Sequence, residues 1–162
     1  MAPPWSGTEM IKTIADPTVL NALVERLGAL RANSGRRWGT LTPNEMLCHL
    51  GDAFEMVLRI RPRIVPISRR RRKHAAYWIG LWSPLPFPRD FPTNPEHNPR
   101  DQGTRPTDFD RDRARVVAAL RGLAAPSGGL EPIHGAFGPM SRRDWQRWAY
   151  KHADHHLRQF GL

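Results

Sequence analysis

Apolar residues recur at three- and four-residue intervals in four separate stretches of this chain, the spacing of amphipathic helices. In the first stretch Val19, Leu20, Leu23, Leu27 and Leu30 make one stripe. Asp16-Pro17 opens it, an N-cap followed by a proline whose φ suits a first turn, and Asn33-Ser34-Gly35 ends it. The second opens at 42-TPNE-45, where Thr42 can cap, Pro43 starts the helix and Glu45 can reach back as in a capping box. Met46, His49, Leu50, Ala53 and Val57 share its inner face, and Arg61-Pro62 closes it. The third opens at 107-TDFD-110 with Thr107 as the expected cap and acids in the first turn, and its stripe is Phe109, Val116, Val117, Leu120 and Leu123. The fourth starts at 141-SRRD-144, carries Trp145, Trp148, Ala149, His152, His156 and Phe160 inward, and stops at Gly161.

Between helices two and three, about residues 61–106, the prolines at 62, 66, 84, 86, 88, 92, 95 and 99 exclude a long helix. Within it 73-KHAAYWIGLW-82 is long enough for two or three helical turns. The segment is too aromatic for disorder, so an ordered cover over one side or end of the helices is expected. A second loop, about 124–140, contains 127-SGG-129 and 134-HGAFGP-139. No stretch alternates strongly with period two. The expected fold is all-α: an antiparallel four-helix bundle with a long, Pro-rich crossover between helices two and three, forming one domain over residues 1–162.

Composition narrows the function classes. No run of about 18 apolar residues suggests a membrane span, and MAPPWSGTEM lacks the basic-then-apolar pattern of a secretory signal. Cys48 is the only cysteine, so a disulfide within the chain is excluded and a cytoplasmic location is expected. The thiol reads as a small buried residue. The formal charge is +10, and all basic residues are Arg except Lys12, Lys73 and Lys151. The densest patch, 69-RRRRK-73, reads first as a solvated face and second as a contact for phosphates.

The candidate chemistry lies in the histidines, three of which crowd into 150-YKHADHHLRQFGL-162. At about 100° per residue His152 and His156 are about 40° apart and one turn separated, so both rings can reach one ion. His155 falls on the flank, as a neighbour of the site or a surface residue. His49, on the inward face of helix two, is the candidate third ligand, because a buried imidazole without a partner is costly. Three neutral imidazoles with open positions describe a catalytic type of site. Nitrogen ligands favour zinc or nickel over magnesium or calcium, with manganese and iron also compatible. Asp52, three residues after His49, is placed either to orient a ligand or to pair with an Arg. Asp154 points to the far side of its helix. His134, just before helix four, reads as a substrate-side group or as a loop histidine with a local hydrogen bond. Trp78 and Trp82 belong to the core or to a pocket wall.

Two stretches carry a resemblance. The sequence 38-WGTLTPNEMLCHLGDAF-54 resembles the second-helix motif of the DinB-like superfamily of metal-binding four-helix bundles, and 134-HGAFGPMSRRDWQRWAYKHADHHLRQFG-161 resembles its final helix. An uncharacterised branch with the HHLRQFG ending is similar here and in 92-PTNPEHNP-99. The resemblance implies a metal site of His49, His152 and His156, and a homodimer. It also implies metal-dependent transferase or isomerase chemistry with low-molecular-weight thiols such as bacillithiol or mycothiol, acting on a small-molecule substrate. Leu157 stands where Arg is usual, and His134-Gly135 where the branch has His-Pro. Neither position is a proposed ligand.

Two other classes compete with a metalloenzyme. A basic module binding nucleic acid through Arg69 to Lys73 would show steep salt dependence, but no helix-turn-helix or zinc-finger spacing supports it. A non-catalytic dimeric bundle would use the histidines as a structural clip.

Overall fold

The computed structural model describes residues 11–63, 74–89 and 92–162. The basic stretch Arg69 to Lys73 lies outside them. Four helices form the bundle: α1 (Pro17–Ala29), α2 (Pro43–Val57), α3 (Phe109–Ala124) and α4 (Arg142–Gln159). The caps follow the residue chemistry. Asp16 accepts from Thr18 N at 2.8 Å. Thr42 and Glu45 close a capping box on α2, as do Ser141 and Asp144 on α4. At α3 the cap is Asp108, not the expected Thr107: Asp108 accepts from Arg111 N at 2.8 Å, while Thr107 N donates to Asp112 Oδ2 at 3.2 Å. The longer Asp side chain reaches the orphan amides from one residue further on. Helix α2 stops at Val57, short of Arg61-Pro62, and the chain turns through Arg59 at φ 60°.

The predicted stripes meet in one core. Leu23 and Leu27 of α1, Leu50, Phe54 and Val57 of α2, Val116, Leu120 and Leu123 of α3, and Trp145, Ala149 and Leu157 of α4 are almost completely buried. Helix α2 is the central element: Met46 to Phe54 is buried throughout, because α3 and α4 cover it on two sides and the crossover on a third. A polar flank then becomes an inner wall, which explains how Asp52 comes to be inside.

The crossover supplies two short helical pieces. Residues Ala76–Trp82 form a π-helix packed on α4, and Pro95–His97 form a 3-10 turn packed on α2. Two buried cations hold the end of the π-helix. The Arg147 guanidinium donates to the carbonyls of Leu81 (2.9 Å), Lys12 (2.8 Å) and Ser83 (2.8 Å), and Lys151 Nζ donates to Gly80 O. Basic side chains suit the exposed carbonyls of a helix C-terminus. Trp78 of this piece is about half exposed, whereas Trp82 donates from Nε1 to Asp144 Oδ1 at 3.0 Å. The loop before α4 contains a two-residue antiparallel ribbon, Ile133–His134 with Gly138–Pro139, too short to show alternation in sequence.

Candidate metal centre

His49 from α2 and His152 and His156 from α4 converge. One ring nitrogen from each lies within 4.8 Å of the other two. The ring centroids are 4.6 Å apart for His49 and His156, 4.9 Å for His152 and His156, and 5.1 Å for His49 and His152. Bundle packing produces this: the inward face of α2 meets that of α4, and each carries its histidines in line with its apolar stripe.

Neighbouring groups set the tautomers. His49 Nδ1 lies 2.9 Å from His97 O; a carbonyl only accepts, so the proton of His49 is on Nδ1 and its Nε2 carries a lone pair. His156 Nδ1 donates to Gln159 Oε1 at 2.8 Å, which likewise leaves its Nε2 free to ligate. Gly39 makes room for that glutamine, since a Cβ there would come within 2.6 Å of Gln159 Nε2.

The His152 ring is compatible with both a metal site and a hydrogen-bonded cluster. Its Nε2 is 3.0 Å from His49 Nε2, and its buried Nδ1 has no hydrogen-bond partner among the described residues. A proton on Nε2 bonds the two rings but leaves Nδ1 a buried, unused acceptor. A proton on Nδ1 leaves two lone pairs facing each other at 3.0 Å. A cation between the rings relieves that repulsion, with Nδ1–H still a buried donor without a partner among the described residues, so the donor set fits an ion. Burial lowers the pKa of His49, His152 and His156, so all three are neutral near pH 7, the form in which imidazole ligates. Phe54 and Trp148 pack edge-on against His152 at 6.0 and 4.7 Å, and His152 is the one ligand candidate of the three that is partly exposed.

The other candidates fall around this centre rather than in it. His155 packs against Trp38 at 4.7 Å and is hydrogen-bonded to the Phe87 backbone; burial pushes its pKa down to about 4. Asp52 does not touch a ligand imidazole. Its carboxylate is completely buried and accepts from Thr104 N (2.7 Å), Thr104 Oγ1 (2.6 Å), Arg61 (3.0 Å) and Arg115 (2.6 Å). It therefore ties the end of the crossover and α3 to α2, next to His49 in the chain. Asp154, half-buried, bridges Arg26 at 2.9 Å and Arg158 at 2.8 Å. Burial raises the Cys48 thiol to about 12, so it stays protonated. Open grooves of about 380 and 490 Å³ flank α1, against α3 and α4, and neither is lined by the three histidines.

His134 sits one aromatic layer away, 5.7 Å from Trp148 between ring centroids. The backbone N–H groups of Ala136 (3.0 Å) and Phe137 (3.3 Å) both donate to its Nδ1, so that nitrogen must keep its lone pair. Burial pushes its pKa from the ordinary 6.5 down to about 3. The unfolded chain takes up this proton as pH falls through 6.5, and the folded chain resists until about 3. Stability is thus full above pH 6.5 and is lost across that window, by up to about 1.4 kcal/mol per pH unit for this residue. In His134→Asn, whose amide oxygen can accept the same N–H groups, chemical denaturation between pH 7 and 4 is expected to show a slope smaller by that amount. An unchanged slope would assign the acid sensitivity elsewhere.

Sequence reasoning misses two residues that hold the ligands: Gln159 and His97. The signal for Gln159 is its i+3 position after His156. For His97 it is only membership of 92-PTNPEHNP-99, because no helical period links the crossover to α2.

The family model of the DinB superfamily matches residues 14–160. No curated protein and no solved structure matches the chain. The family match spans all four helices, including both that carry the converging histidines, and the chain belongs to the DinB superfamily.

Proposed function

We propose that the chain is a divalent-metal-dependent enzyme, with His49, His152 and His156 as the protein ligands and zinc or nickel as the ion. The observation that carries the reading is the pair of anchored Nδ1–H groups on His49 and His156, which leaves each Nε2 free to ligate in a cluster where one ring nitrogen from each of the three histidines lies within 4.8 Å of the others. When bound, such an ion supplies Lewis acidity that lowers the pKa of a thiol or water at its open positions. The chain's part is to keep three imidazoles neutral and to fix their orientation through His97 O and Gln159 Oε1, with Phe54 and Trp148 packed edge-on against His152.

The reaction class that fits best is S-transfer from a low-molecular-weight thiol to a small electrophile, or an isomerisation assisted by such a thiol. In the transfer the thiol gives up its proton, sulfur bonds to the electrophilic carbon, and the leaving group departs with its electron pair. The same reading includes a homodimer and a cytoplasmic location; among the described residues no helix is long and apolar enough to cross a membrane. The test is thiol consumption by the metal-loaded protein with a panel of small thiols and activated aryl halides or epoxides. We expect turnover that a chelator abolishes and added metal restores. Consumption at the protein-free rate across the panel, with metal bound, would contradict the transferase assignment.

A further inference from the structure

The wall of the centre contains a fourth histidine. His97 lies in the 3-10 turn Pro95–His97, packed on α2, and is only 9 % exposed. Its main-chain oxygen holds His49, so the turn's position is tied to that ligand at 2.9 Å. Gly103 helps to fold the crossover back behind this turn: its N–H donates to Asn98 O at 2.8 Å, and a Cβ there would meet Asn98 backbone atoms at 2.7 Å. The His97 ring is 6.4 Å from the His49 ring, centroid to centroid, at an interplanar angle of 68°. The ring thus packs beside that of His49, on the turn that covers α2.

The His97 side chain makes an incomplete set of contacts. Its Nε2 is buried and has no hydrogen-bond partner among the described residues. The nearby acid Glu96 is buried too, with Oε1 at 3.7 Å from Nε2, beyond hydrogen-bond range but close enough to favour the tautomer with the proton on Nε2. Buried polar atoms without partners are uncommon and call for a functional account. The backbone oxygen of His97 already serves His49, so the side chain is free for a second task.

We propose that His97 is a positioning residue whose Nε2–H donates a hydrogen bond to a small anionic or oxygen-bearing ligand bound at the three-histidine centre. The inference rests on the metal reading above and adds a donor that neither ligand spacing nor the family match assigns. Because the His49 contact is made by backbone, replacing the His97 side chain leaves that contact in place.

The test uses cobalt-loaded protein and azide as the probe, read from the visible absorption of the cobalt. In His97→Ala we expect azide affinity to fall about tenfold, the loss of one hydrogen bond to a charged acceptor, with cobalt affinity within about threefold of the parent. In His97→Gln, whose amide can donate, azide affinity should return to within about threefold. Unchanged azide affinity in His97→Ala would overturn the proposal. So would failure of the Gln variant to recover, which would mark the effect as packing. A loss of cobalt affinity in both variants would make His97 a ligand instead. If the parent protein itself takes up no cobalt, the metal reading fails and this proposal falls with it.

Discussion

Changing His152 and His156 together to Ala should lower zinc affinity by more than about a thousandfold. Removing a residue that merely hydrogen-bonds a ligand costs 10–100-fold in comparable sites; here two of the three ligands are lost, and His49 alone cannot chelate. Competition titration against a chromophoric chelator reads the effect directly. A second readout is thermal. A metal at about a thousand times its Kd stabilises the folded state by about 4 kcal/mol, and for a chain of this size that raises Tm by roughly 8–16 °C. The parent should show that rise on adding zinc, and the double variant should show none. Without metal the two proteins should both fold, because the helix stripes around the histidines are independently buried, with Leu157, Ala149 and Ala153 all at 0 % exposure. An equal zinc-dependent rise in both proteins would place the ion elsewhere.

Asp52→Asn should destabilise the protein by about 3–5 kcal/mol, because removing one member of a buried ionic cluster leaves the others uncompensated. Four hydrogen bonds converge on that carboxylate, two of them from guanidinium groups. Arg115 keeps Glu55, at 2.6 Å through both Nε and NH2, but Arg61 is left with Thr104 Oγ1 and Gln102 O. The expected fall in Tm is roughly 6–20 °C. Metal affinity per folded molecule should change far less than in the histidine variants, since His49 is oriented by His97 O and not by Asp52. Denaturant unfolding and metal titration on the same sample separate the two effects. A large loss of metal affinity with little loss of stability would return Asp52 to the role of ligand orienter. The sign with pH follows from the neighbours: donors and cations hold the Asp52 carboxyl below its ordinary 3.8, so its contribution is present above that pH and lost as acid protonates it.

The bundle was legible because its signals are local. Pro17, Pro43 and the Thr42–Glu45 box mark helix starts within a few residues of the chain, and the stripes they open are regular. The convergence of His152 and His156 was legible for the same reason: one turn of one helix places them. His49 was reachable because it lies on the apolar face of α2, which had to pack inward. What was not legible depends on contacts far apart in sequence. Asp52 reads equally as surface acid or ligand partner until Thr104 and Arg115 arrive from 52 and 63 residues away. His97 reaches His49 across 48 residues of proline-rich chain whose path no periodicity describes. The stretch 73-KHAAYWIGLW-82 suggested ordinary helical turns, and its residues Ala76–Trp82 form a π-helix capped by Arg147 and Lys151 from α4. The Thr107-to-Asp108 shift of the α3 cap is a choice between adjacent capping residues, which the final chain direction settles.

The measurement closest to the central claim is elemental analysis of the purified protein, prepared without a histidine tag and after exposure to zinc, nickel and manganese in turn. The account predicts about one equivalent of a divalent metal, retained through gel filtration and absent from the His152→Ala/His156→Ala variant treated in the same way. No bound metal in the parent under any of the three conditions would contradict it, and would leave the three facing imidazoles as a hydrogen-bonded core.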